Sequence, residues 1–271
     1  MRRVIVPVAS LVMAMPLFLH AQGAAESPDL DDAQAMFYNG RYADAISATA
    51  DLCTPDAAAL PACELRTAAQ HFQLRRALAE WPDREKAITQ CTACADLLSA
   101  FIADMRRGQR IARARLGVEP GDAEALFFLG KLDLNYVWLH LATLGRKTGW
   151  DEYWEARRSL DTVLKQNPGH IRAKVARAWI DYIVDTKMPR GTRWLLGGGN
   201  KKRGLQAVRE AAAADVDPFV RAEAGFALWD MQVREQRIAD ALVTAKALAG
   251  DFPGNPELRK FLGAHAATVS N

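Results

Sequence analysis

Strand-forming sequence is nearly missing from this 271-residue chain: runs that alternate apolar with polar residues and favour β-branched side chains hardly occur. That leaves an all-α protein. Catalytic signatures are missing too. There is no His-Glu-x-x-His motif and no Gly-x-Ser-x-Gly elbow, and His71, His140, His170 and His265 are scattered rather than grouped with carboxylates. Glu152, Glu155, Asp161 and Asp181 lie near one another without a recognisable catalytic pairing. Charge of one sign is not in excess: 35 Lys and Arg face 32 Asp and Glu, which excludes the basic field that nucleic-acid binding calls for. Beyond the N-terminus no run is long and apolar enough to span a bilayer. The expectation is a non-enzymatic protein with no catalytic residues, metal or cofactor, no nucleic-acid partner and no span in the mature chain.

The N-terminus carries a different signal. Arg2 and Arg3 precede an apolar run from Val4 to Leu19, and small residues follow around Ala21. This is the layout of a cleavable secretory signal peptide over residues 1–21, with Ala25 as the second candidate cut. The run is short for a span and is broken by Pro7 and Pro16. No cysteine follows it to take a lipid anchor at this site. Residues 22–30 read as a flexible linker, and the mature protein is expected in the periplasm or outside the cell.

Residues 31–271 are organised by a spacing that recurs. Ala156, Leu160, Val163 and Pro168 are separated by four, three and five residues, and Ala241, Ala245, Leu248 and Pro253 repeat those intervals. A small contact residue, two apolar residues and a stopping proline mark the second helix of a helix-pair repeat. Extending the pattern gives units at about 31–53, 62–120, 123–168, 170–218 and 219–253, with a capping helix at 256–268. Gly40, Tyr42 and Ala45 mark the first unit, Leu129-Gly130 the third, Ala178, Ala207, Ala211, Ala214 and Pro218 the fourth, and Leu228 the fifth. The second unit is diverged, with Arg115 where an apolar residue belongs.

Used as a ruler, the prolines expose two insertions. Pro218 to Pro253 is 35 residues, but Pro120 to Pro168 is 48 and Pro168 to Pro218 is 50. Each central unit is thus about 15 residues longer than a 34-residue repeat. The surplus falls between first and second helices, at about 136–151 and 183–200, where insertions in successive repeats gather on one edge. Six of the seven tryptophans lie between Trp138 and Trp229. One insertion holds Arg146, Lys147 and Trp150; the other holds Arg190, Arg193, Trp194 and Gly197–Gly199 and leads into Lys201 and Lys202. Rigid aromatics, cations and glycines in this pattern suit an anionic or carboxylate-bearing ligand. A helix start after Asn200 would add backbone N–H groups. The candidate binding set is Trp138, Arg146, Lys147, Trp150, Trp154, Arg157, Trp179, Tyr182, Arg190, Arg193, Trp194, Gly198, Lys201 and Lys202. The alternative is that the tryptophans are core and the three glycines only a tight turn.

Four cysteines in an exported chain suggest disulfides. The favoured pairs are Cys53–Cys63, closing an interhelix loop, and Cys91–Cys94, provided a helix begins near Thr92. Crossed pairs, a four-thiolate zinc site and a redox Cys-x-x-Cys remain as alternatives, although the first two cysteines are widely spaced for a zinc knuckle and no βαβ context surrounds the second pair.

With these motifs placed, most of the mature chain resembles the tetratricopeptide-repeat superfamily. The resemblance implies a right-handed solenoid of antiparallel helix pairs with a concave groove for a protein segment, a peptide or, less often, a small molecule. Leu196-Gly197-Gly198-Gly199-Asn200-Lys201-Lys202-Arg203 is also similar to a turn in the periplasmic T-component of TRAP transporters, with one extra glycine here. The expected function is a periplasmic binding or assembly module for a protein segment or anionic ligand. An accessory role in solute transport is the alternative, with a hydrolase or thiol-redox protein behind it.

Overall fold

The structure is a computed structural model that describes residues 28–54, 59–79 and 81–265. The segment expected to be a signal peptide, most of the expected linker and residues 266–268 of the expected cap lie outside the described residues. Within them the chain is helical throughout and contains no strand. The helices are α1 (Pro28–Tyr38), α2 (Tyr42–Ala48), α3 (Leu60–Ala77), α4 (Arg84–Gln90), α5 (Thr92–Val118), α6 (Ala123–Trp138), α7 (Trp150–Gln166), α8 (Ile171–Lys187), α9 (Lys201–Ala212), α10 (Pro218–Arg234), α11 (Ile238–Asp251) and α12 (Pro256–Ala264).

The small and apolar residues of the repeated spacing are where helices touch. Ala156, Leu160 and Val163 are buried, as are Ala241, Ala245 and Leu248. Each set faces a glycine on the preceding helix. A Cβ on Gly130 would stand 3.1 Å from Leu160, and one on Gly225 would stand 2.9 Å from Leu248. The missing side chains let α6 approach α7 and α10 approach α11. Asp122, Asn200, Asp217 and Asn255 cap the starts of α6, α9, α10 and α12 by accepting backbone N–H groups.

Pro218 plays a different part from the one its spacing suggests. Helix α9 already ends at Ala212, and Pro218 opens α10 at its first turn. A ring with fixed φ and no N–H costs nothing there. The diverged second unit also holds an extra short helix, α4, ahead of α5.

Most helices adjacent in sequence pack together, and a second set of contacts joins α1 to α3, α3 to α6, α8 to α10 and α10 to α1. The last of these brings the ends of the described chain together. The Tyr38 ring lies 5.5 Å from Phe226 and 5.2 Å from Phe252. Asn255 Nδ2 donates to the Tyr38 carbonyl at 2.7 Å, and the Gly254 N–H donates to Asn39 Oδ1 at 2.9 Å.

The two insertions are built differently. Residues 139–144 form a π-helical turn that continues α6, with Leu139, His140, Thr143 and Leu144 buried. Leu139 and Leu144 join Leu74, Leu78, Phe101 and Met105 in one apolar cluster. His71 Nε2 meets Thr143 Oγ1 at 2.9 Å, and Arg84 caps the turn through the Ala142 and Thr143 carbonyls. The π-helical turn of this surplus therefore inserts its apolar side into the core, while Leu141, Lys147 and Trp150 stay exposed. The second insertion is a 3-10 segment, Arg190–Leu196, followed by a left-handed turn at Gly197 and Gly198. Both cysteine pairs favoured by the spacing stand at bonding distance, Cys53–Cys63 and Cys91–Cys94, and α5 begins at Thr92. All four cysteines stand in these two pairs.

Candidate functional site

Single polar residues from α1, α3, α6, α8 and α10 converge inside the molecule. Lys131 Nζ lies 2.5 Å from Glu223 and 3.5 Å from Glu64. Arg172 lies 2.7 Å from Glu223 and 3.2 Å from Glu64, with its guanidinium over the Phe127 ring. Burial opposes charge on Glu223, but Lys131 and Arg172 outweigh it and hold the carboxyl well below its ordinary value. Burial likewise opposes charge on Lys131 and Arg172, and Glu223 and Glu64 together raise both. The hydroxyl of Tyr38 is pushed up by burial and by Glu223. The four ionic groups are satisfied by one another, and no free charge is offered to a ligand. None of these five residues carried a signal in the sequence, because each is a single polar residue inside a helical pattern.

A cleft of about 690 Å³ opens elsewhere, at the second insertion. Its lining comes from the end of α8 (Tyr182, Asp185, Thr186, Lys187), the 3-10 segment (Arg190, Arg193), the start of α9 (Lys201) and the end of α10 (Arg234, Glu235). Five cations face two carboxylates there. Each carboxylate is already engaged. Asp185 takes Arg193 and, at 2.8 Å, the backbone N–H of Lys201; Glu235 takes Lys201 Nζ at 2.7 Å and the Tyr182 hydroxyl at 3.1 Å. The Lys201 ammonium, with its hydrogen bond and charge, holds Glu235 below the ordinary carboxylate value. Burial and the contact with Glu235 raise Tyr182. Lys187 and Arg190 are exposed, and their side chains make no hydrogen bond or ion pair to the described residues. On the same 3-10 segment Trp194 and Leu195 are 72% and 53% exposed, and the Trp194 indole N–H donates to the Gly191 carbonyl at 3.0 Å.

Of the residues singled out from sequence, Tyr182, Arg190, Arg193 and Lys201 come together in this cleft, and Trp179 stands beside it with Arg234 over its ring. Trp194 stands on the segment that forms one wall, and Lys202 is exposed one residue beyond Lys201. The others lie apart. Trp138 and Trp154 pack against the largest core cluster. Arg157 donates to the Leu196 and Gly197 carbonyls and so anchors the end of the 3-10 segment to α7. Arg146, Lys147 and the 52% exposed Trp150 belong to the first insertion and do not line the cleft. Gly198 supplies a left-handed residue, φ +75°, to a turn. A Cβ on neighbouring Gly199 would stand 2.6 Å from the Asp185 backbone nitrogen, so the glycine run seats the turn tightly on α8. The helix start that invited an anion already holds one, the side chain of Asp185. The sequence did not single out Lys187, Asp185, Arg234 or Glu235; all sit at or just beyond helix ends, where solvent-facing positions look ordinary in sequence.

No family model, curated protein or solved structure matches this chain.

Proposed function

We propose that this is an exported, tetratricopeptide-like binding module that holds an acidic segment of a partner protein in the cleft at its second insertion. The observation that carries the reading is the cleft's unbalanced charge beside an exposed apolar ridge. Of the five cations lining the cleft, Arg193, Lys201 and Arg234 are paired with Asp185, Glu235 and Asp230, while the Lys187 and Arg190 side chains project without partners among the described residues, and Trp194 and Leu195 stand exposed on the segment forming one wall. Carboxylates answer the cations, and an apolar side chain beside them answers the ridge.

The interior supports placing the site on this edge. In a solenoid of helix pairs the first helices would line the concave groove. Here Glu64, Lys131, Arg172 and Glu223 of α3, α6, α8 and α10 pair with each other, and the Tyr38 ring of α1 packs on Phe226 of α10. A groove filled in this way has no charge to give. The paired cysteines and the lack of a spanning helix among the described residues agree with an exported protein.

Titration with oligoglutamate, followed by tryptophan fluorescence and calorimetry, tests the reading, with citrate and neutral oligoglutamine as separate arms. Binding of oligoglutamate that weakens with added salt, together with none by oligoglutamine, is the expected result. Tight binding of citrate alone would indicate a small-anion carrier instead. Absence of binding in every arm would refute the site.

A further inference from the structure

The two disulfides stand in very different surroundings. Cys53 and Cys63 are both fully buried in the largest core cluster and fasten the segment after α2 to α3. Cys91 and Cys94 are three residues apart at the start of α5, which is 27 residues long. Cys91 is half-buried and forms the N-cap, while Cys94 is 1% exposed behind it, among Leu74, Leu78 and Phe101. The backbone N–H of Cys94 donates to Cys91 Sγ at 3.2 Å. The two residues between the cysteines, Thr92 and Ala93, are small and exposed.

As a staple this second bond does little. Stabilisation through chain entropy shrinks with the length of the closed loop, and few loops are shorter than this one. As a site of thiol exchange it has the parts needed: Cys91 is half-buried where its partner is sealed, Cys94 lies behind it in the core, and a helix N-terminus and a backbone N–H favour thiolate on Cys91. Favouring the thiolate stabilises the reduced pair and makes the disulfide an oxidant.

We propose that Cys91–Cys94 is an oxidising disulfide that exchanges with the exposed dithiol of a partner protein. A partner thiolate attacks Cys91 Sγ; the new bond joins the partner's sulfur to Cys91, and Cys94 leaves as a thiolate that takes up a proton. The partner's second thiolate then attacks its own bridged sulfur, and Cys91 departs as the thiolate that the Cys94 N–H and the helix start stabilise. Two electrons pass from the partner's dithiol to this pair, and the partner keeps the disulfide. Cys53–Cys63, sealed from solvent, takes no part. This activity is independent of the cleft at the second insertion.

The test uses the native protein with both bonds intact, mixed with an equimolar reduced dithiol peptide. The peptide should be oxidised to its disulfide. Alkylation and peptide mapping should find the new thiols on Cys91 and Cys94 alone, and in glutathione buffers this pair should open at a reduced-to-oxidised ratio at least about tenfold below that of Cys53–Cys63. Cys94→Ser protein, given the peptide's disulfide form, should accumulate a mixed disulfide on Cys91, and Cys91→Ser should accumulate none. A peptide that stays reduced, opening of both disulfides together, or no adduct on Cys94→Ser would each overturn the proposal.

Discussion

Asp185 Oδ2 accepts the backbone N–H of Lys201 at 2.8 Å while its other oxygen pairs with Arg193. One carboxylate thus fills the anion position at the start of α9 and fastens the 3-10 segment to α8. Replacing it by asparagine keeps the shape and removes the charge. The Asp185→Asn variant should bind oligoglutamate more tightly by about 0.5–1 kcal/mol, roughly two- to fivefold, the scale of a partly exposed charge pair. It should also lose about 1–2 kcal/mol of stability with its charge-assisted bonds. Calorimetry and urea unfolding read the two effects separately.

The interior ion cluster is a structural commitment. Glu223 satisfies both Lys131 and Arg172, so Glu223→Ala leaves two buried cations facing Glu64 alone. A loss of about 3–5 kcal/mol is expected in urea or thermal unfolding, because an uncompensated buried charge is costly. Replacing an exposed cation such as Arg190 should change stability by no more than about 0.5 kcal/mol.

Acid should weaken the protein through its buried histidines. Burial pushes His71 down to about 3, with the nearby Arg75 charge adding to it. The folded state therefore refuses a proton that the unfolded chain accepts near pH 6.5. The stability of the neutral ring is fully present above that pH and is lost as pH falls from about 6.5 toward 3. His170, lowered by burial and by Arg172, acts in the same direction. At about pH 5 the loss from His71 should reach up to about 2 kcal/mol, and His71→Gln should flatten the decline in an unfolding series between about pH 7 and 5.

Asp133 behaves oppositely. Burial and the charge of Glu155 push it up to about 8, and only one of its oxygens is bonded, accepting Gln109 Nε2 at 2.6 Å. The unfolded chain releases this proton near pH 3.8. Stability from the protonated group is therefore complete below that pH and is lost as pH rises through about 8. Asp133→Asn should raise stability by about 1–3 kcal/mol at about pH 8 and have little effect at about pH 4, as thermal unfolding at the two values will show.

Helical order was legible because it rests on local chemistry. Small residues at Ala156 and Ala241, the start of α5 near Thr92 and the pairing of Cys53 with Cys63 all depend on neighbours in sequence or on one turn of helix. The proline spacing pointed to surplus residues at about 136–151 and 183–200 but carried nothing on what those segments become. Leu139 and Leu144 fold into the core because α3 and α5 present an apolar face to them, whereas Trp194 and Leu195 meet no such face. Glu64, Lys131, Arg172 and Glu223 were invisible for a related reason: each is an unremarkable polar residue until five helices meet. Pro218 misled because the same ring serves equally well to follow one helix and to open the next.

The central claim is that Lys187 and Arg190 make the cleft a receptor for acidic segments, and one comparison tests it most directly. Oligoglutamate affinity is measured by calorimetry at low salt for the native protein and for the Lys187→Ala/Arg190→Ala double variant, whose unfolding should be unchanged. The account predicts a loss of about five- to thirtyfold, from two cation–carboxylate contacts worth roughly 0.5–1 kcal/mol each. Equal affinity in the two proteins, with both folded, would contradict it.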